Sequence, residues 1–195
     1  MTQTLAELIW VVGLVAWFAI RWPYQRRARR ITVVRDRRDT GDRLALLAAS
    51  LGLSVIPLVW LATGFPQWAD TPFSPWRGWL GLFVEILFIA LFVASHRQLG
   101  RNWSVTLEIR DSHALVTDGL YRFVRHPMYS SFWLWAIAQA LLLHNWVAGL
   151  AGLVGVAILY FSRVGKEESM MRQAFGPAYD AYSARTGRVI PRLVR

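Results

Sequence analysis

Residues 130–162 read SSFWLWAIAQALLLHNWVAGLAGLVGVAILYFS. Two apolar runs, Ser130 to Leu143 and Trp146 to Ser162, are parted only by His144-Asn145. So short a gap leaves room for nothing but a tight hairpin between antiparallel helices. The first run gains a turn if it starts at Pro127, because proline is favoured at the first helical position. The second run carries Gly149, Gly152 and Gly155 with Ala148 and Ala151, small residues at helical spacing that suit close approach to the preceding helix.

Working outward from the hairpin, three more apolar runs precede it: Leu5 to Trp22, Leu44 to Thr63 and Trp79 to Ser95. Each has the ~17–25 residues that a spanning helix needs. The first is not read as a cleavable signal peptide, because no basic residue precedes it and Arg21 follows it. The expected fold is all-α: a polytopic integral membrane protein with five transmembrane helices, the last two forming a tight hairpin. It forms one membrane-embedded domain over 1–195, with three helices in 1–95 and the hairpin and tail in 96–195. Composition agrees. Of 195 residues 55% are hydrophobic, 11 are Trp and 17% are charged, against roughly 25% charged in soluble domains.

Lys and Arg set the orientation. Residues 21–43 carry nine, 96–129 five and 163–195 seven, whereas 64–78 carry only Arg77. The basic segments face the cytoplasm by the positive-inside rule, so the N-terminus is outside and the C-terminus inside; a bacterial inner membrane is the expected setting. The net charge of +10 therefore reflects topology, and a nucleic-acid partner is not expected. The stretch RRARRITVVRDRR (26–38) reads first as an orientation signal with affinity for anionic membrane lipid. There is no Cys, and the four His lack ligand spacing, so no metal is expected. No Gly-rich turn follows a strand and opens a helix, which excludes a soluble dinucleotide-type site.

Two polar clusters interrupt this apolar chain. In GLYRFVRHPMY (119–129), a helix starting at Pro127 leaves the N–H groups of Met128 and Tyr129 unpaired, a terminus that favours an anion. Arg125 and His126 add donors, and Tyr121 and Tyr129 add aromatic faces for a cation or a planar ring. A ligand with a carboxylate, a cationic centre and a flat base suits this set, although an interfacial belt of arginine and tyrosine has the same composition. The second cluster, SRVGKEESMMRQAFG (162–176), continues the fifth helix inward and places Arg163, Glu167 and Met171 on one face. If the last two helices form a hairpin, the two clusters converge on one pocket at the cytoplasmic surface. Elsewhere, Glu85 lies inside the third helix, with a functional role or a hydrogen bond to Gln139 or His144 both open. Asn102 and Trp103 border the pocket in this reading, and Tyr179 and Tyr182 pack the tail.

HALVTDGLYRFVRHPMY (113–129), followed by RVGKEESMMRQAFGPAYDAY (163–182) and RVIPR (188–192), resembles the isoprenylcysteine carboxyl methyltransferase family and its wider group of phospholipid methyltransferases. The likeness runs from about Leu99 to Pro191. It implies a membrane enzyme whose cofactor is S-adenosyl-L-methionine, bound in a cytoplasmic pocket, and whose lipophilic or prenylated substrate enters between helices. It implies that His113, Ala114, Leu115, Val116, Tyr121, His126, Pro127, Met128, Tyr129 and Glu167 bind the cofactor, with Arg125 beside them, and that Arg163 serves the substrate. Ser131 stands where many members have glycine, and Thr106 near a position where some present glutamine. Sterol reductases share a similar R-H-P-x-Y region, so a nicotinamide-dependent reductase is the alternative, although they commonly carry Asn where this chain has Met128.

Methyl transfer from a sulfonium is an in-line displacement in which positioning does most of the work. A carboxylate acceptor is already ionised at neutral pH and needs a cation, for which Arg163 is the candidate. An amine would need a base among Glu167, Glu168 and His126, and a thiol would need stabilisation as thiolate. The residues leave all three acceptors open.

Overall fold

The computed structural model describes residues 1–28, 33–36, 40–100, 108–110 and 115–192. Helix α1 spans Gln3–Ala28 and runs on through Pro23. Helix α2 (Thr40–Ser50), a π-helical segment (Leu51–Val55) and α3 (Ile56–Thr63) form one continuous rod. Then come α4 (Pro75–Leu99), α5 (Pro127–Leu142), α6 (Trp146–Phe175) and α7 (Pro177–Arg185). Four stretches are long and apolar enough to cross a membrane: Gln3–Arg27, Thr40–Thr63, Pro75–Leu99 and Trp146–Phe175. Helix α5, at 16 residues, is shorter. One feature not expected from the sequence is a short antiparallel ribbon, β1 (Val33–Asp36) on β2 (Glu108–Arg110).

The hairpin forms where the two-residue gap predicts it, and its polar residues have work to do. Asn145 Oδ1 accepts from the Ala148 N–H at 2.9 Å, capping α6, while Nδ2 donates to Pro66 O (2.7 Å) and Asp70 Oδ1 (2.8 Å). His144 lies against the Trp60 ring and 3.4 Å from Glu7 of α1. Spacing alone predicts that the glycines of α6 face α5, but they do not all do so. A Cβ at Gly149 would meet α5 at Ala140, one at Gly152 would meet both Gln139 of α5 and Leu53, and one at Gly155 would lie 2.6 Å from Ala48 O of α2. Each three-residue step falls about 60° short of a full turn, so the stripe winds from one neighbour to the other.

The core is layered along the helices. Near one end, Ala6, Trp10, Trp60 and Leu142 pack together. In the middle Trp135 stacks on Phe88 at 5.1 Å, with Phe92 and Val156 alongside. At the other end Ala45, Ala49, Tyr129, Leu159 and Tyr160 close the α2–α5–α6 junction. Gln139 ties the middle by donating to Gly52 O (3.0 Å) and Ala148 O (2.7 Å), so neither it nor His144 is the partner of Glu85. The buried Glu85 carboxylate has no hydrogen bond among the described residues and packs against Gly13 of α1, where a Cβ would overlap it.

Candidate functional site

The polar end is built on the α5 N-terminus. Gly119, at φ +58°, opens a 3-10 turn over Gly119–Arg122, and the Leu120 N–H donates to Gln98 Oε1 at 2.9 Å. A side chain there would strike the Gln98 amide. The turn delivers Arg125 and His126 to Pro127, which starts α5 as the sequence indicated. The RVIPR stretch then returns alongside. Arg125 N–H donates to Gly187 O (2.8 Å), His126 N–H to Arg188 O (2.9 Å), and Ser130 Oγ to Val189 O (2.6 Å). Helix α7 supports this strap: Tyr182 Oη donates to Tyr121 O at 2.8 Å, and Tyr179 and Tyr182 are both buried. The two tyrosines therefore pack the tail, as expected, and burial pushes the Tyr182 hydroxyl up to about 12.

The glutamate pair divides between two tasks. Glu168 is 2% exposed and accepts from Arg125 (3.0 and 3.1 Å) and Arg188 (2.9 and 3.1 Å). Arg125 also donates to the carbonyls of Ser183 and Thr186. Arg125 thus ties α6 to the strap. Glu167, whose side chain is 26% exposed, accepts from Tyr129 Oη at 2.6 Å and lies 3.5 Å from His126 Nδ1. His126 Nε2 is 3.5 Å from Glu168. Burial alone would lower the His126 pKa; the two glutamates overcome it and raise it above the ordinary 6.5.

Arg163 Nε lies 3.7 Å from Glu167, one turn on, and 2.9 Å from Asp42 in the first turn of α2. Sequence reading singled out Arg163 and Glu167 but not Asp42, which comes from a distant helix and carries no local motif. The structure thus brings Arg125, His126, Tyr129, Arg163 and Glu167 together at one end of the α5–α6 pair. Leu115 and Val116 lie half-buried before the 3-10 turn, and Tyr121, within the turn, is buried. Met128 packs against the middle layer of the core. His113, Ala114, Thr106, Asn102 and Trp103 fall outside the described residues. Ser131, where glycine is common in the family, fits without disturbance: it is buried and its hydroxyl donates to Met128 O at 2.7 Å. Among the described residues no His, Asp and Glu group has a metal-holding arrangement.

Residues 79–173 match the model of the isoprenylcysteine carboxyl methyltransferase family. A protein-S-isoprenylcysteine O-methyltransferase B of Arabidopsis thaliana is 32% identical over 118 residues, covering 60% of each chain. A probable protein-S-isoprenylcysteine O-methyltransferase of Oryza sativa subsp. indica is 33% identical over 129 residues, 65% of this chain and 66% of its own. The Homo sapiens protein-S-isoprenylcysteine O-methyltransferase is 29% identical over 126 residues, 64% of this chain but 44% of its own. The chain thus spans about half to two thirds of the length of these curated relatives.

Proposed function

Because the chain belongs to the isoprenylcysteine carboxyl methyltransferase family, we propose that it is an integral membrane methyltransferase using S-adenosylmethionine. Its acceptor is a lipophilic carboxylate of the isoprenylcysteine kind, the group on which the named relatives act. The observation that carries this reading is the meeting of Glu167, Tyr129, His126 and Arg163 within hydrogen-bond or ion-pair reach at the start of α5.

The donor set fits that cofactor. Of the three carboxylates gathered here, Asp42 and Glu168 are sealed at 1% and 2% exposure, while Glu167 is accessible. Glu167 would hold the cationic or hydroxyl part of the ligand, and the Met128 and Tyr129 N–H groups behind Pro127 its carboxylate. His126, Tyr121, Leu115 and Val116, with His113 and Ala114, complete the set. When bound, S-adenosylmethionine would supply a sulfonium methyl for in-line transfer to the acceptor oxygen, leaving as the thioether. Arg163 orients the acceptor carboxylate, which is ionised at neutral pH and needs no base. Tyr129 fixes the Glu167 carboxylate through its hydroxyl. Positioning of this kind can lower the barrier by up to roughly 7–11 kcal/mol.

The reading includes five membrane crossings, with α5 as the short one, and the polar end on the cytoplasmic side. The test is equilibrium binding by the detergent-purified protein. It should bind S-adenosylmethionine and not NADPH, and should methylate N-acetyl-S-farnesylcysteine. Glu167→Ala should weaken S-adenosylmethionine binding at least tenfold while leaving the melting temperature nearly unchanged. Binding of NADPH in place of S-adenosylmethionine would overturn the assignment.

A further inference from the structure

The Arg163 guanidinium, the candidate acceptor clamp, does not stand alone. Its Nε is 2.9 Å from Asp42 Oδ1, and both side chains are almost wholly buried, 7% and 1% exposed. The Glu167 contact on the same nitrogen is longer, 3.7 Å, and Glu167 is the more exposed partner. Arg21 of α1 lies near enough to bring a second positive charge to bear on Arg163. Asp42 comes from α2, which precedes the family-matched residues 79–173. It reaches Arg163 because α2 lies directly on α6: Gly155 leaves no room for a side chain against Ala48 and Ala49, and Gly52 none against Ala151. Its place in the first turn of α2 also puts the carboxylate at the positive end of that helix.

The Asp42 contact at Nε, the inner guanidinium nitrogen, is a close charge contact rather than an aligned hydrogen bond, and in this buried setting it anchors the base of the planar fork by electrostatic attraction. A planar fork matters most when the group it receives is itself a carboxylate, which it can hold through two parallel hydrogen bonds. The looser Glu167 contact is the one that can yield to a ligand; the short buried Asp42 contact is the one that stays.

Resting on the proposed methyltransferase reading, we propose that Asp42 is a positioning residue for the methyl acceptor: it aims the Arg163 guanidinium and so sets the preference for a carboxylate head group. The experiment compares unaltered protein, Asp42→Asn and Asp42→Glu, using N-acetyl-S-farnesylcysteine as acceptor and its carboxamide as competing inhibitor. In the unaltered protein the acid should bind better than the amide. Asp42→Asn should raise the acceptor KM at least tenfold, change kcat and the S-adenosylmethionine Kd by less than threefold, and erase the acid-over-amide preference. Asp42→Glu should restore that preference, with an intermediate KM. An unchanged acceptor KM in Asp42→Asn, or a loss of S-adenosylmethionine affinity as large as the rise in KM, would overturn the proposal. If Asp42→Asn does not accumulate in the membrane, Asp42→Glu decides: a raised KM with the preference kept supports the proposal, and an unaltered KM or a lost preference overturns it. No S-adenosylmethionine binding by the unaltered protein would overturn the underlying reading itself, a result separate from normal cofactor binding with an indifferent Asp42.

Discussion

Removing the buried Glu168 carboxylate would leave the partly buried Arg125 guanidinium facing two carbonyls with no counter-charge. Breaking a buried ion pair by deleting one partner typically costs about 3–5 kcal/mol. Glu168→Gln should therefore lower the apparent melting temperature in detergent far more than Glu167→Gln, and the comparison checks the division of tasks between them. His126 gives a pH signature. Its raised pKa means the folded protein binds a proton more tightly than the unfolded chain, so the stabilisation is complete below pH 6.5 and is lost as pH rises through the folded value. A melting curve series should show this decline above pH 6.5, and His126→Gln should flatten it. The residues of both clusters were legible as local patterns beside apolar runs. Which glutamate is structural was not, because Arg188 and the Ser183 and Thr186 carbonyls that decide it come back from the tail. Asp42 was invisible for the same reason: its meaning lies in a contact between helices.

At the scale of the helices, apolar length placed the first three spans within about five residues and the start of the last, and the short gap at His144-Asn145 marked the hairpin, while α5 falls short of a spanning length. The direction each glycine faces depended on rotation around α6, which spacing alone leaves open. Gly155→Val should push α2 off α6, because the opposing atoms are the backbone at Ala48 and Ala49 and cannot swing aside. The expected result is loss of most acceptor turnover, measured with labelled methyl donor, and a lower melting temperature. Gly165→Ala is the matched control: nothing lies within 4 Å of its added Cβ, and replacing a helical glycine by alanine gains up to about 1 kcal/mol, so stability should hold or rise. The π-helical turn and the β1–β2 ribbon had no readable signal. Each is a local irregularity held by its surroundings: Gln139 reaches across from α5 to the Gly52 carbonyl, and two separate loops must meet to pair.

For the whole molecule, the polar cluster at the start of α5 and the aromatic loop between α3 and α4 lie at opposite ends of the helices. The chain has no cysteine, so single substitutions give clean topology reporters. Trp68→Cys, in the exposed loop between α3 and α4, should react with an impermeant maleimide in intact cells, and Arg185→Cys only after lysis; the reverse pattern would invert the proposed orientation. The π-helical segment at Leu51–Val55 bears on all of this. One residue is worth about 100° of azimuth in a helical rod, so the extra residue in that turn acts as a phase shifter. It lets α3 keep Trp60 towards the centre while α2 turns Asp42 towards Arg163. A lineage that lost that single residue would keep its hydropathy profile, yet its α2 would point elsewhere, like a key cut correctly and set in the lock a quarter-turn off.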